Sequence, residues 1–289
     1  MPTLPLPAWR SLMFVPATGR RFVGRAHTRG ADGIILDLED SIPAAEKQAA
    51  RDALAHAAET VGQAGADVIV RVNRPLELCI PDIAAAVMPR VAALMLPKVM
   101  GPEHIRLLSE VVAVREAAMG MAIGSTRLIA LVETPDAVPH LHAIAAADPR
   151  MAAMGVGVED LAMEIEAQPG ADMLYHYGMS LVTACRAARI LPMGSIGTFA
   201  DFSDLEAYRA GLRRSRRLGF ALAACIHPTQ VPIVNEEYGV SAEEADRARR
   251  LIAAFDAAVA EGKAAVAFEG AMVDIPVVER ARRLLARAR

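Results

Sequence analysis

The chain has 289 residues, of which 54% are hydrophobic, 22% are charged and only 4% are aromatic. A chain of this length and apolar content buries enough surface to fold without disulfides or a structural metal, which excludes disordered, collagen-like and disulfide-scaffold proteins. Its formal net charge of -3, from 31 basic and 34 acidic residues, gives no electrostatic basis for binding nucleic acid or an anionic membrane surface.

The cysteines and apolar segments indicate a cytoplasmic protein. No apolar run approaches the roughly 18 to 20 residues that a membrane-spanning helix needs. Prolines interrupt the first ten residues, where a signal peptide needs a continuous apolar stretch. Cys79, Cys185 and Cys225 are scattered and form no CxxC motif, which is typical of ordinary buried thiols in a reducing compartment.

Short apolar runs alternate with longer segments along the chain. The runs predict strands over residues 11–16, 33–40, 67–73, 93–99, 127–133, 151–160, 191–198 and 221–228. Continuous rather than alternating apolar runs are typical of parallel strands that are buried on both faces. The intervening segments have apolar residues at helical spacing and predict helices over residues 20–29, 44–61, 103–119, 136–147, 172–189 and 205–218.

Eight strands alternating with helices in a chain of this length predict a (β/α)8 TIM barrel, with a doubly wound open sheet as the alternative. The pattern is weakest at the seventh strand and at the short connection 81–89. Beyond the eighth strand we predict helices over residues 242–261 and 277–287, joined by the turn-rich segment 262–276. We therefore expect a TIM-barrel catalytic domain over residues 1–230. Residues 231–289 would form a C-terminal extension of the same domain that completes the site or an oligomer interface.

Polar side chains end most of the predicted strands. They are Asp37, Glu39 and Asp40 on strand two, Arg71 and Asn73 on strand three, Lys98 on strand four, Glu133 on strand five, Glu159 and Asp160 on strand six, and His227 on strand eight. The carboxyl ends of barrel strands converge on one mouth, where active sites lie. Any single charge could simply mark where a strand meets solvent, but together these residues predict an active site.

The carboxylates outnumber the cations at this predicted mouth, and a divalent metal would relieve their repulsion. Glu133 and Asp160 follow neighbouring strands and would supply two oxygen ligands to Mg²⁺, with water and a chelating substrate as the others. No cluster of His and Cys favours zinc instead. Glu39, Asp40 and Glu159 would orient metal-bound water or nearby cations, the alternative being helix capping and salt bridging at the rim.

Arg71 lies between two valines and is expected to reach the cavity from an apolar wall. Its guanidinium suits a substrate carboxylate or an enolate oxygen, and it could pair at the same time with Asp37 or Glu39. Lys98 follows a proline and has acidic neighbours, which favours a charged, salt-bridged lysine over a Schiff-base nucleophile. We expect Asp37 and Lys98 to support the metal and substrate groups.

Several motifs extend in order over nearly the whole chain: RSLMFVPA, GADGIILDLEDSI, VRVN, LPKV, LIALVET, GVGVEDLAME, GFALAACIHPTQ and MVDIPVVERARRLL. In these motifs the chain resembles the citrate lyase beta-subunit-like (CitE-like) proteins of the HpcH/HpaI aldolase superfamily. The resemblance implies a TIM barrel with a C-terminal extension, assembled as a homotrimer or hexamer. It also implies Mg²⁺, for which Mn²⁺ could substitute, and carbon–carbon bond chemistry on acyl-CoA or acyl-carrier substrates.

The resemblance also carries residue roles. It implies that Glu133 and Asp160 are the metal ligands and that Arg71 is the substrate arginine. Asp274, in MVDIP, matches an aspartate that in relatives such as the citramalyl-CoA lyases reaches into a neighbouring subunit's site as acid/base. The residues alone would instead indicate a turn or a helix cap at Asp274, because Pro276 follows closely.

We therefore predict a Mg²⁺-dependent carbon–carbon lyase that cleaves a 3-hydroxyacyl-CoA, of malyl-CoA or citramalyl-CoA type, to a 2-oxo acid and an acyl-CoA. Arg71 and Glu133 would contact the substrate, and Asp274 would move a proton. One alternative is an aldolase on free 4-hydroxy-2-oxo acids. Another is a citrate lyase beta subunit that needs an acyl-carrier partner, which we favour less. A non-catalytic barrel is disfavoured because both metal carboxylates are retained.

Overall fold

The computed structural model describes residues 5–168, 171–196 and 204–288. The chain divides into two compact units, one ending at Asn235 and the other beginning at Glu236. No helix in these described ranges is long and apolar enough to cross a membrane.

The first unit contains eight parallel strands in a nearly closed barrel. They are β1 (Ser11–Pro16), β2 (Gly33–Asp37), β3 (Asp67–Arg71), β4 (Val91–Leu96), β5 (Arg127–Val132), β6 (Met151–Val156), β7 (Leu191–Met193) and β8 (Ala223–Cys225). Their spatial order is β7-β6-β5-β4-β3-β2-β1-β8. The barrel closes between β7 and β8, where the Gly194 amide donates to Leu222 O at 2.9 Å and the Ala221 amide donates to Pro192 O at 3.0 Å. The predicted TIM barrel is therefore confirmed, and the open sheet is excluded.

Helices surround the strands and pack on them through small or aliphatic faces. They are α1 (Arg20–Ala26), α2 (Lys47–Gly62), α3 (Leu76–Ala86), α4 (Pro102–Ala118), α5 (Leu141–Ala145), α6 (Val158–Glu164), α7 (Ala171–Ala188), α8 (Leu205–Leu218) and α9 (Gln230–Glu237). In α2, for example, Ala50, Leu54, Ala57 and Val61 are buried at helical spacing. Inside the barrel, residues such as Ile35, from β2, and Ile69, from β3, form the central core with side chains of the other strands.

Three predicted elements of the barrel need correction. The sixth strand ends at Val156, and residues 158–164 form α6 instead of continuing to residue 160. The segment from residue 81 is not a short connection, because Cys79, Ile83 and Ala86 give α3 one buried face and Pro81 is accommodated inside the helix. The seventh strand ends at Met193, and residues 197–198 of that prediction lie outside the described part of the chain.

The second unit is built from α10 (Ala242–Ala260), a hairpin of β9 (Val266–Phe268) and β10 (Ala271–Val273), and α11 (Ile275–Leu285). Its core includes Leu251 and Phe255 of α10 together with Val278 of α11. The segment 262–276 therefore contains a hairpin, which its turn residues concealed in the sequence. That this extension completes the site or an oligomer interface stays a prediction.

The three cysteines are buried and free of disulfides. Burial raises the pKa of Cys79, Cys185 and Cys225 to about 12 in each case. None of these thiols is therefore ionised near neutral pH, as expected for structural and not catalytic cysteines.

Candidate active site

The carboxyl ends of the barrel strands surround a cavity of about 540 Å³. Its apolar walls include Phe14, Met95, Leu131 and Met193. Its polar lining consists largely of residues predicted from the strand ends, namely Asp37, Asp40, Arg71, Glu133, Glu159 and Asp160. A mostly apolar cavity with a few convergent charges at this end of a barrel is where a small-molecule reaction is expected.

Arg71 is fixed at the end of β3 by a two-point pair with Asp37 at the end of β2. Arg71 Nε donates to Asp37 Oδ1 at 2.7 Å, and Nη2 donates to Oδ2 at 2.8 Å. The Arg71 guanidinium also lies 4.9 Å from the centre of the Phe14 ring. Burial by itself would raise the pKa of Asp37, but the hydrogen bonds from Arg71 hold that pKa below its usual value. The ion pair expected as an alternative for Arg71 is therefore present, and the guanidinium still lines the cavity.

Two further carboxylates face the same guanidinium. Arg71 Nη1 lies 2.8 Å from Glu39 Oε2 and 3.2 Å from Asp40 Oδ2. Glu39 is buried, so its carboxylate depends on such cations for compensation. Burial, together with the charges of Asp40 and Glu133, raises the pKa of Glu39 to about 7, although Arg71 opposes the rise. The guanidinium thus outweighs the effect of burial on the pKa of Asp37 but not on that of Glu39.

Glu133 directly follows β5, which ends at Val132, and its carboxylate is buried at the base of the mouth. Its Oε2 accepts a hydrogen bond from the Lys98 amide at 2.7 Å. A Cβ added at Gly157 would lie 2.3 Å from Glu133 Oε1, so glycine is needed there for this side chain to fit. Burial and the nearby charge of Asp160 raise the pKa of Glu133 to about 7.

Asp160 lies in the first turn of α6 and not on a strand, which corrects the prediction for Asp160 and for the exposed Glu159. Lys98 connects it to the other acids, with Nζ at 3.3 Å from Asp160 Oδ1 and 3.7 Å from Glu39 Oε1. Burial would lower the pKa of Lys98, but these carboxylates raise it, so the lysine is a cation and not a nucleophilic amine. Its backbone φ of +47° is uncommon for a non-glycine residue and directs its amide to Glu133.

Glu133 and Asp160 fit a hard divalent cation. Both offer carboxylate oxygens, and burial together with the charge of Asp160 raises the pKa of Glu133, so a cation placed between them would favour its ionised form. The described residues contain no group of three or more His, Cys, Asp or Glu side chains arranged to hold a metal. The two carboxylates themselves suit Mg²⁺, which keeps several waters and binds through one or two carboxylates.

Asp274 belongs to the second unit, where its side chain caps α11 by accepting a hydrogen bond from the Val277 amide at 3.4 Å. The helix cap indicated by the residues is therefore present. Asp274 is half-buried, and its sequence neighbours Met272 and Ile275 are exposed. Its action in a neighbouring subunit's site stays a prediction.

Sequence reasoning did not identify the residues that hold these groups in place. Lys47 donates through Nζ to Leu38 O at 2.8 Å and to Glu39 O at 2.7 Å. Asn73 was noted at a strand end, but its amide group also donates to Leu38 O, at 2.8 Å. Lys47 lies nine residues beyond Leu38 on a helix, so apolar periodicity gave no signal for its contact. The acids that follow Gly157 could have indicated a helix N-terminus at α6.

Comparisons with known proteins agree with this geometry. The model of the HpcH/HpaI aldolase/citrate lyase family matches residues 10–228. The chain is 31% identical over 283 residues to the citrate lyase subunit beta of Leuconostoc mesenteroides subsp. cremoris, covering 96% of this chain and 92% of that protein. It is 30% identical over 302 residues to the L-malyl-CoA/beta-methylmalyl-CoA lyase of Cereibacter sphaeroides, covering 96% and 94%.

A solved structure also matches over nearly the full length. The protein CitE from Mycobacterium tuberculosis, in complex with magnesium, acetoacetate and coenzyme A, is 30% identical with a TM-score of 0.74, and the match covers 96% of this chain and 97% of that one. The family model spans the barrel strands and their carboxylates, and the relatives are lyases. The resemblance carried by the motifs is thereby confirmed. The chain is a lyase that belongs to the HpcH/HpaI aldolase/citrate lyase family.

Proposed function

We propose that this lyase cleaves a 3-hydroxyacyl-CoA of malyl-CoA or citramalyl-CoA type into a 2-oxo acid and an acyl-CoA, with Mg²⁺ as cofactor and Mn²⁺ as a substitute. The main observation behind the proposal is that Glu133, Asp160 and Arg71 line the same partly apolar cavity. Its support from relatives is the malyl-CoA lyase match and the magnesium and coenzyme A named with the mycobacterial protein.

The reaction breaks the bond between the hydroxyl-bearing carbon and the α-carbon of the thioester. The hydroxyl proton passes to a carboxylate at the mouth or to solvent, and the oxygen becomes the 2-oxo carbonyl of the acid. The electron pair of the broken bond passes to the thioester as an enolate. Protonation of the α-carbon then gives the acyl-CoA. Arg71 supports this charge flow because its guanidinium, held by Asp37 and permanently charged, can face the enolate oxygen.

Glu133 and Asp160 would hold the cation. When bound there, Mg²⁺ supplies Lewis-acid polarisation and a template for the substrate oxygens beside the breaking bond. Gly157 leaves the space that Glu133 occupies, and the Lys98 amide fixes one of its oxygens at 2.7 Å. Lys98 and Glu39 complete the charged surroundings through the ion pairs described above.

A groove of about 470 Å³ leads away from the cavity and supports a CoA substrate. It shares Phe14, Pro16 and Ile226 with the mouth. Three arginines line it at four-residue intervals along and just beyond α1: Arg21, Arg25 and Arg29. Guanidinium groups bind phosphates strongly, so the groove suits the phosphorylated end of a CoA ester better than a short free oxo acid.

Asp274 would deliver the proton from an adjacent subunit of a homotrimer or hexamer. Mixing Asp274→Ala chains with Arg71→Ala chains tests this, because mixed oligomers would regain sites that have both residues intact. Restored turnover on mixing is the expected result, and mixtures as inactive as each parent would remove Asp274 from the shared site.

The function itself is tested with a panel of malyl-CoA, citramalyl-CoA, citryl-CoA and a free 4-hydroxy-2-oxo acid, each with Mg²⁺ and with EDTA. We expect release of acyl-CoA from a malyl- or citramalyl-type thioester, lost in EDTA and lost in Glu133→Gln. The exposed Glu103→Gln is a matched control that should keep wild-type turnover. Cleavage of the free oxo acid but of no thioester would reject the proposal in favour of the aldolase alternative.

A citrate lyase beta subunit is the second candidate, because a protein of that name is 31% identical over 96% of this chain. In that case the substrate would be a citryl thioester on an acyl-carrier partner. Turnover of CoA thioesters by the isolated chain would exclude dependence on a carrier. Cleavage seen only after addition of an acylated carrier protein would establish it.

A further inference from the structure

The loop that follows β2, residues 38–42, is fixed by hydrogen bonds to the side chain of Asp37. The Glu39 amide donates to Asp37 Oδ1 at 3.0 Å, and the Ser41 amide donates to Asp37 Oδ2 at 3.1 Å. The same two oxygens accept the two hydrogen bonds from Arg71. The position of the guanidinium and the path of this loop are therefore coupled through one carboxylate.

The same loop is also fixed by hydrogen bonds from the side chain of Lys47, the first residue of α2. Its ammonium donates to two successive carbonyls, Leu38 O at 2.8 Å and Glu39 O at 2.7 Å. Leu38 O accepts a second hydrogen bond, from Asn73 Nδ2 at 2.8 Å. Two N–H groups of the loop, those of Glu39 and Ser41, thus donate to Asp37, while two of its carbonyl groups, those of Leu38 and Glu39, accept from Lys47.

The choice of lysine here stands out in this chain. Only three of its 31 basic residues are lysines, at positions 47, 98 and 263, and the others are arginines. A compact ammonium can place two of its N–H groups on adjacent carbonyls, whereas a planar guanidinium needs more room and a different geometry. Lys47 is also not one of the described residues that line the cavity, so its contacts serve the loop and not a substrate.

We propose that Lys47 is a positioning residue for the reaction: by fixing the carbonyls of Leu38 and Glu39, it sets the Asp37–Arg71 pair and the Glu39 carboxylate at the mouth. This inference rests on the proposed function through the role of Arg71. Small displacements of a charge that faces a reacting group reduce the rate far more than they reduce binding. Loss of Lys47 therefore acts on kcat and not chiefly on KM.

The experiment compares Lys47→Met, Lys47→Arg and the wild type, with Lys263→Met as control. Lys263 lies in the second unit and pairs only at the surface with Glu261 at 2.7 Å, so the control makes the same chemical change away from the loop. Hydrogen–deuterium exchange measures how fast the amide hydrogens of the loop exchange in the absence of substrate. Steady-state kinetics on the thioester cleaved by the wild type report kcat and KM separately.

In Lys47→Met, we expect the amide hydrogens of residues 39–42 to exchange about tenfold faster than in the wild type, while exchange in the strands is unchanged. Its kcat should fall about 10- to 100-fold while KM stays within about threefold, and Lys47→Arg should recover part of the loss. Unchanged loop exchange would overturn the proposal. So would faster exchange throughout the barrel, which would assign Lys47 to global stability, or loop loosening with unaltered kcat.

The exchange measurement also separates this inference from the proposed function. A wild type that cleaves no thioester rejects the proposed function, yet loop exchange in Lys47→Met still decides whether Lys47 fixes the Asp37–Arg71 geometry. Conversely, if the wild type cleaves a thioester and Lys47→Met has unchanged loop exchange and unchanged kcat, only the positioning role is rejected.

Discussion

Two arginine–carboxylate pairs lie at opposite ends of the same barrel and differ in what surrounds them. At the carboxyl ends of the strands, Arg71 makes two hydrogen bonds to Asp37. At the amino ends, Arg150 makes the equivalent pair with Glu116, at 2.8 and 2.7 Å. Both are two-point pairs, through Nε and Nη2 of Arg71 and through Nη1 and Nη2 of Arg150, and they differ most in their neighbours.

The amino-end pair is enclosed by neutral donors and acceptors. Glu116 also accepts hydrogen bonds from the Gly124 and Thr126 amides at 2.7 and 2.6 Å. Arg150 uses two of its remaining three N–H groups on Ser109 Oγ and Thr126 O. Burial would raise the pKa of Glu116, but the Arg150 hydrogen bonds and these amides lower it to about 2. Every charge at this buried position is compensated.

The carboxyl-end pair instead adjoins an excess of acid. Glu39 and Asp40 share the Arg71 guanidinium, and Glu39 and Glu133 each have a pKa raised to about 7. The comparison teaches that a buried arginine–carboxylate pair marks a function only where its neighbours leave charge uncompensated beside a cavity. The enclosed pair serves folding, in keeping with the division of labour between the two ends of such barrels.

The largest expected effect is on stability at the amino end. Arg150→Met should lower the free energy of unfolding by about 3–5 kcal/mol, because it leaves the Glu116 carboxylate buried without its partner. Urea unfolding at pH 7 measures the loss. Arg106→Met, which removes an exposed arginine paired with Glu103, is the control and should change stability little. A loss in Arg150→Met no greater than in the control would contradict the structural role.

At the carboxyl end the same kind of change should act on turnover. Arg71→Lys keeps the charge but loses the two-point pair with Asp37, so kcat on the thioester should fall about 100-fold. Its free energy of unfolding should stay within about 1 kcal/mol of the wild type, because the lysine ammonium keeps a positive charge beside Asp37 and Glu39. Steady-state kinetics and urea unfolding of one preparation give both values. A variant that loses stability but keeps kcat would reverse the comparison.

The sequence predicted the half of this comparison whose residues lie at the ends of strands. Asp37 and Glu133 come at the ends of continuous apolar runs, and parallel strands bring such ends to one mouth. The Glu116–Arg150 pair was not predicted, because it joins the last turn of α4 to the start of β6 and neither residue ends a strand. Contacts of this kind depend on how helices pack, which residue periodicity does not specify.

The backbone around the site was also only partly predictable. The apolar run continues past Val156, so the residue pattern does not indicate that the strand ends there and a helix begins. Asp160 was therefore predicted on a strand, whereas it lies on α6. The left-handed backbone of Lys98 was not foreseen either, because a lysine gives no sign of a positive φ. Both features are set by the packing around Glu133.

A smaller effect should appear in the acid dependence of stability. The pKa of Glu116, about 2 in the fold, lies below its ordinary value of 4.5. The carboxylate therefore contributes stability that is present above about pH 4.5 and is lost as the pH falls toward 2. Glu116→Gln should be less stable than the wild type by about 2 kcal/mol at pH 7, a gap that closes on acidification. Urea midpoints between pH 2.5 and 7 test this, and a constant gap would assign the loss to packing alone.

The smallest expected effect has the opposite sign and lies at the mouth. The pKa of Glu39 is raised to about 7 from an ordinary value of 4.5, chiefly by burial. Its protonated form therefore favours folding below about pH 4.5, and that contribution is lost as the pH rises through 7. In EDTA at pH 8, Glu39→Gln should be more stable than the wild type by on the order of 1 kcal/mol, with little difference at pH 4. Urea midpoints of both proteins at pH 4 and pH 8 measure this difference. A variant less stable than the wild type at pH 8 would show that Arg71 compensates Glu39 fully. The contrast between the two ends of the barrel would then rest on the cavity and not on uncompensated charge.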